Sequence, residues 1–295
     1  MKLGNLIIAG IVTGSIYAAF AACVALWYRV SNILNLAVGD FAMMGALGVD
    51  DLVRVKHWAI APAILVMLAA VAVGAYVYDR VVLGLAQDGR TRQEGIVVTF
   101  FFTFALSFFL EGLAEVLYGT DVHAAPDLWA GPSLNVFASG LHIERAGVLV
   151  VGFAAVVGLA LAVFMRRTLR GKAVEACGEN YLGARIVGID NRQYRRLLFV
   201  LSAVLAAVFG ILESPITGYT FNSGASISLT GFLAAAFAGF QKPGKAVVAG
   251  LSIGLLEAIL GGYVSAQYGD TLLYAILAAA VLIRPSAMGL DVALD

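Results

Sequence analysis

The side chains with chemical potential in this chain are carboxylates set inside apolar runs. Asp40 follows the polar, glycine-containing stretch Asn35-Leu36-Ala37-Val38-Gly39, and Glu111 and Glu115 lie one helical turn apart. Glu213 precedes Ser214-Pro215, and Glu257 sits within Gly254-Leu255-Leu256-Glu257. An ionised group at the centre of a membrane helix costs about 2.5–3.5 kcal/mol on insertion scales, so such residues face protein or a water-filled path and mark candidate sites. The chemistry they offer is the holding of a polar solute or an ion. Irregular backbone at membrane depth is tolerated only where protein or a polar cavity satisfies it, and half-helix ends facing such a cavity can hold polar groups. Asn32, Asn35, Gly39 and Asp40 therefore form a candidate lining for a polar route.

Other chemistry is sparse. No Gly-x-x-x-x-Gly-Lys-Ser/Thr phosphate loop exists: Gly171-Lys172 leads to Ala173 and Gly244-Lys245 to Ala246. The chain is thus expected not to hydrolyse ATP. His57, His123 and His142 are scattered at expected membrane edges and in a polar connection, and Cys23 and Cys177 fall at different depths without metal or disulfide spacing. No metal site or catalytic triad emerges.

The elements that must position these groups follow from hydropathy. With 61% hydrophobic residues, 13% charged residues and 33 glycines, the chain carries more apolar surface than one soluble core can hide. A crossing helix needs about 20 apolar residues, and windows of that kind fall near 4–28, 58–79, 95–118, 146–165, 196–217, 245–264 and 270–284. The first is too long for a signal-peptide core and lacks a cleavage pattern, so it reads as a retained span. Segments 38–53 and 227–240 are apolar but short, and each follows a stretch rich in Gly, Asn or Ser, as expected of partial helices. The predicted fold is an all-α polytopic transmembrane bundle of 8 or 9 membrane segments, forming a single domain over residues 1–295.

Charge sets the orientation. Residues 166–196 hold eight of the nineteen Lys and Arg residues. Basic residues concentrate on the cytoplasmic side, which places this loop inside. Residues 119–145 carry Asp121, Asp127, Glu144, Trp129 and two prolines with one strong base, Arg145, and so belong outside. Residues 79–94, with Arg80, Arg90 and Arg92, come out inside, and the N-terminus outside if every segment crosses. No basic patch stands apart from these connections, which gives no reason to expect nucleic acid.

Several motifs then carry a resemblance. Asn32-Ile33-Leu34-Asn35-Leu36-Ala37-Val38-Gly39-Asp40-Phe41 resembles the Asn-x-Ala-His-Gly-Asp/Glu-Phe signature of permeases of branched-chain amino acid ABC importers, of the LivH type. Arg167-Thr168-Leu169-Arg170-Gly171-Lys172-Ala173 followed by Ala184-Arg185-Ile186-Val187-Gly188-Ile189 is similar to that family's cytoplasmic loop. Residues 234–239, Pro243-Gly244, Gly250 and Gly254-Leu255-Leu256-Glu257 resemble its distal spans, and Arg284-Pro285 with Met288-Gly289-Leu290 its ending. Two departures bear on the solute: Val38 stands where the family commonly has His, and Phe240-Gln241-Lys242 replaces small residues before the Pro-Gly turn.

The resemblance implies a bacterial inner-membrane, multi-pass permease carrying a small amino acid or related polar solute. Its expected partners are a second permease in a heterodimer, two ATPase subunits and an extracytoplasmic solute-binding protein. No cofactor is expected on this chain, since ATP is used by the partners. The implied substrate path comprises Asn32, Asn35, Gly39, Asp40, Phe41 and Glu257. Within residues 166–196, Val174, Cys177, Tyr181, Ala184 and Val187 recur at helical spacing, predicting one amphipathic coupling helix over residues 172–187. Gly171, Lys172, Glu175, Glu179, Tyr181, Arg185 and Gly188 are the expected ATPase-coupling residues. The rival class is an ion-coupled secondary transporter or channel using Asp40, Glu213 or Glu257.

Overall fold

A computed structural model of the chain describes residues 2–87, 92–129, 131, 134–136, 141–240, 243–263 and 275. The expected apolar windows fold as long helices because each offers uninterrupted apolar sequence whose backbone must pair internally within a bilayer. These are α1 (Lys2–Ser31), α3 (Ile60–Tyr78), α5 (Arg92–Tyr118), α6 (Arg145–Arg167), α9 (Asn191–Thr217) and α11 (Pro243–Tyr263). All six are long and apolar enough to cross a membrane. The two shorter segments form α2 (Val38–Asp50) and α10 (Ser223–Ala238). The small helices α4 (Gly84–Gln87), α7 (Leu169–Glu179) and α8 (Tyr181–Ile186) lie in connections. The expected segment at 270–284 and the terminal Arg284–Leu290 motif fall outside the described residues. An antiparallel pair, β1 (Leu134–Val136) with β2 (Leu141–Ile143), adds a hairpin that the all-α expectation did not contain.

Ion pairs order the ends of the helices. At the end of α1, Arg29 meets Glu175 of α7 at 2.6 Å, so α1 ends at the basic loop that the charge pattern expects on the cytoplasmic side. At the far end of α2, Asp50 meets His123 at 2.9 Å and Arg54 donates to the Ala124 carbonyl at 2.7 Å, both in the outer connection. Residues 32–55 therefore run from the α7 end of the bundle to the 119–145 connection, but not as one helix. They comprise a non-helical stretch from 32 to 37, then α2, then a π-helical turn, Asp51–Val55. A break spends few residues on height, which is how so short an apolar segment reaches from one end of the bundle to the other.

Helices α1 and α9 form the centre and bury 61% of their apolar windows, whereas α3 and α6 bury 17% and present the rest outward. Phe20 stacks edge-on against Phe209, and Trp27 against Phe199, joining α1 to α9. Edge-to-face geometry is favoured by the ring quadrupoles. The closest packing is between α1 and α11. Each carries a Gly-x-x-x-Gly pair, Gly10 with Gly14 and Gly250 with Gly254, and a Cβ on Gly254 would lie 2.2 Å from the Gly14 Cα. Without a hydrophobic drive between helices in lipid, such small-residue faces supply association through close van der Waals contact.

A valine at Gly254 should force this pair apart. Overpacking of a tight core costs about 1–3 kcal/mol, so Gly254→Val is expected to lower the melting temperature of the detergent-solubilised protein. Gly112→Ala, where a Cβ meets nothing within 4 Å, should melt like the parent.

Candidate functional site

The break before α2 is stitched by side chains. Asn32 takes a left-handed φ of 52° and its N–H donates to the Tyr28 carbonyl at 2.7 Å, ending α1. The Ser31 hydroxyl accepts from the Ile33 N–H at 3.1 Å, and the Asn35 side-chain oxygen accepts from the Ala37 N–H at 3.0 Å. Thr103 of α5 donates to the Leu34 carbonyl at 3.3 Å. Ser228 of α10 closes the break: its hydroxyl donates to the Leu36 carbonyl at 2.5 Å and accepts from the Gly39 N–H at 2.8 Å. Buried backbone groups need such partners.

This arrangement brings the starts of α2 and α10 together. A Cβ on Gly39 would lie 2.1 Å from the Gly224 carbonyl, and one on Gly224 would lie 2.0 Å from an Asp40 carboxylate oxygen, so neither position has room for a side chain. Asp40 is fully buried in the first turn of α2, where the helix dipole favours an anion. Ser107 of α5 donates to its Oδ2 at 2.5 Å, and its Oδ1 has no hydrogen-bond partner among the described residues. Nearby, Glu111 lies beside the Ala225 N–H, while Glu115 is exposed. Phe41 points into the core against Phe199, with ring centroids 5.9 Å apart.

Of the expected path residues, Gly39 and Asp40 thus meet at one junction, with Asn35 buried just before it. Glu257 lies elsewhere, in a cavity of about 370 Å³ bounded by α1, α9, α10 and α11. Glu213 shares that cavity with Tyr17, Thr217, Asn222 and Ser226. Tyr219 donates to the Glu213 Oε2 at 2.9 Å and its backbone pairs with His123, which ties the cavity rim to the outer connection. Tyr17, Asn222 and Ser226 escaped sequence reasoning because single hydroxyls and amides in apolar runs carry no periodic signal. Glu213 was legible as an intramembrane acid.

On the inner face, Thr168 caps α7 by accepting from the Gly171 N–H at 2.9 Å. Gly171 is required there, since a Cβ would lie 2.1 Å from the Phe164 carbonyl. Val174 and Cys177 of α7 and Ala184 of α8 are buried against Leu26 and Val30 of α1, Leu161 and Met165 of α6, and Leu198 of α9. Burial, with a smaller contribution from Asp190, raises the pKa of the Cys177 thiol and keeps it protonated. The single helix expected over residues 172–187 is two. Asn180 ends α7 and caps α8 by accepting from the Gly183 N–H at 2.8 Å, a local side-chain bond that competes with helix continuation. Val187, expected on the buried stripe, is 73% exposed.

The expected coupling residues share this face. Glu175 pairs with Arg29, and both Glu175 and Glu179 border a groove of about 680 Å³ with Arg166 and Lys245. Lys172 and Arg185 are exposed, and the side chain of Tyr181, the first residue of α8, lies outside the described residues. Gly188 takes a φ of 83°, the left-handed turn that ends α8, with the Ile189 N–H returning to the Ala184 carbonyl. Just beyond, Arg195 and Arg196 at the base of α9 each reach fully buried Asp79 at 3.1 Å.

Residues 6–282 match the family described as branched-chain amino acid transport system / permease component. The chain is 26% identical over 299 residues to the high-affinity branched-chain amino acid transport system permease protein LivH of Salmonella typhimurium, covering 95% of this chain and 92% of that one. It is 25% identical over 295 residues to the corresponding protein BraD of Pseudomonas aeruginosa, covering 95% and 93%. A solved structure, PsaBC from Streptococcus pneumoniae in complex with Fab, overlays with a TM-score of 0.48 at 16% identity, covering 95% of this chain and 90% of that one.

The Asp79 cluster yields a graded expectation. Removing one partner of a buried ion pair costs about 3–5 kcal/mol, because the other charge is stranded. Asp79→Ala should therefore destabilise the solubilised protein strongly in thermal unfolding. Arg196→Ala should cost much less, since Arg195 remains and Arg196 is 25% exposed.

Proposed function

The chain belongs to the family of branched-chain amino acid transport permease components, and we propose that it forms one half of an importer's path, paired with a second, similar permease. As a family member it is a multi-pass inner-membrane permease of an ABC transporter. In the proposed assembly two separate ATPase subunits drive it, and an extracytoplasmic solute-binding protein delivers a small amino acid or related polar solute. ATP is consumed by those partners, and this chain serves as translocation subunit without an ATPase site or a cofactor of its own. The proposed path residues are Asn32, Asn35, Gly39, Asp40, Phe41 and Glu257. Gly39 and Phe41 act by shaping the junction of α2 and α10, not by touching solute.

The observation that carries this reading is the α7–α8 module. It is seated by Val174, Cys177 and Ala184 on the inner ends of α1, α6 and α9, so a push on it tilts three membrane helices together. Its outer surface offers Ile186 at 86% and Val187 at 73% exposure, outside any membrane-length helix. Apolar side chains presented there suit a protein partner. Lys172, Glu179, Tyr181 and Arg185 are assigned to the same contact. Glu175 and Gly188 hold the module's shape through Arg29 and the left-handed turn, and Gly171 does so through its fit against α6.

A charge at the centre of this surface should break the docking. Central apolar contacts contribute about 2 kcal/mol or more to an interface. Ile186→Asp should therefore weaken co-purification of the ATPase subunits at least about tenfold and uncouple hydrolysis from solute uptake, with unchanged melting of the permease itself. Substitutions at Ile186, Glu179 and Tyr181 that left assembly and coupling intact would remove this assignment.

A further inference from the structure

The outer cavity has a one-sided charge. Glu213 and Glu257 line it, and none of its described lining residues is basic. Its other polar surface includes the hydroxyls of Tyr17, Thr217, Ser223 and Ser226 and the amide of Asn222. The surrounding sequence is equally free of cations: no Lys or Arg occurs between residues 197 and 241 or between 246 and 283, and α1 has none between Lys2 and Arg29. Carboxylates at membrane depth are costly to keep and by default mark a solute or ion pathway. Glu213 is held in place, buried to 8% exposure, by the Tyr219 hydroxyl.

The helix start beside the cavity does not offset this charge. A helix N-terminus is the natural seat for an anion, but at α10 the Ser223 N–H donates to the Thr220 carbonyl and Glu111 already stands beside the Ala225 N–H. A solute carboxylate entering here meets two acidic side chains and no basic one among the described lining residues. A positively charged group meets both carboxylates and a ring of hydroxyl acceptors. A polar void of about 370 Å³ is large enough for the cationic end of a small solute, though not for a large one.

We propose that this cavity is a subsite for the positively charged, N–H-bearing end of a small solute, an ammonium or guanidinium group facing Glu213 and Glu257. Its place in import rests on the permease reading above; its selection of charge does not. A solute whose only charge is a carboxylate is disfavoured at this point on the path.

The test needs no knowledge of the cargo. In purified protein with Cys23 and Cys177 replaced by Ala, Ser226→Cys places a thiol at an exposed position of the cavity wall. Its rates are measured with a trimethylammonium-bearing and a sulfonate-bearing methanethiosulfonate, each relative to a free thiol in solution. Clefts lined by one sign of charge raise encounter rates of the opposite sign by about tenfold or more. The cationic reagent should be favoured by about that factor, and Glu213→Gln with Glu257→Gln should bring the ratio close to one. Ile186→Cys on the inner face, 86% exposed, should keep its ratio in the same double variant. A ratio near one in the parent, a ratio untouched by the two substitutions, or a Ser226→Cys thiol inert to both reagents while Ile186→Cys reacts would each overturn the proposal. Loss of ATP-driven uptake plays no part in the readout, so a failure of the importer reading would leave this result standing.

Discussion

Backbone that leaves helical form inside a bilayer must find partners in the protein, and the rest of this molecule is arranged around meeting that need at residues 32–37. One hydroxyl does most of it. Ser228 of α10 accepts from the Gly39 N–H and donates to the Leu36 carbonyl, so the end of the break and the start of α2 are tied to a helix almost 190 residues away in sequence. The tie works only at very short range, which is why Gly39 and Gly224 face each other. Close approach then propagates. Gly231 fits against Phe20 of α1, and Gly45 and Gly210 let α2 cross α9. The two partial helices are held between the two central ones.

Helix α1 links this junction to both surfaces. Its outer half is locked to α11 by opposed glycines, and its inner end carries Arg29 to Glu175 of α7. Helix α9 does the same from the other side, with Pro215 near its outer end beside the polar cavity and Asp79 gripping its base through Arg195 and Arg196. In the proposed cycle, movement of the α7–α8 module tilts α1 and α9, and α2 and α10 follow because α2 packs on α9, α10 packs on α1, and Ser228 ties the two together. The outer cavity lies between α1, α9, α10 and α11, so it changes shape when these helices do.

Much of this was legible in the residues. Long apolar windows predicted the helices α1, α3, α5, α6, α9 and α11, and short windows after polar stretches predicted that α2 and α10 would be partial. The ordered motifs pointed to the family, and the basic count gives the expectation that residues 166–196 lie on the inner side. What was not legible depended on contacts distant in sequence. Ser228 is one of many serines until Gly39 is placed beside it, and Asn222 and Ser226 acquire meaning only from the cavity they share with Glu257. The spacing of Val174, Cys177 and Ala184 did foretell the buried stripe, yet the same pattern hid the break at Asn180, because a capping side chain can end a helix without disturbing its hydrophobic period.

The account stands or falls on what energises the path. The direct measurement is solute uptake into proteoliposomes holding both permeases, compared with and without the ATPase subunits, under ATP on one hand and under an imposed proton or sodium gradient on the other. The solute-binding protein and its bound solute are supplied on the opposite face. The account predicts uptake only when ATPase subunits, ATP and binding protein are all present, with no response to the gradients. Uptake by this chain without an ATPase, driven by an ion gradient, would contradict it.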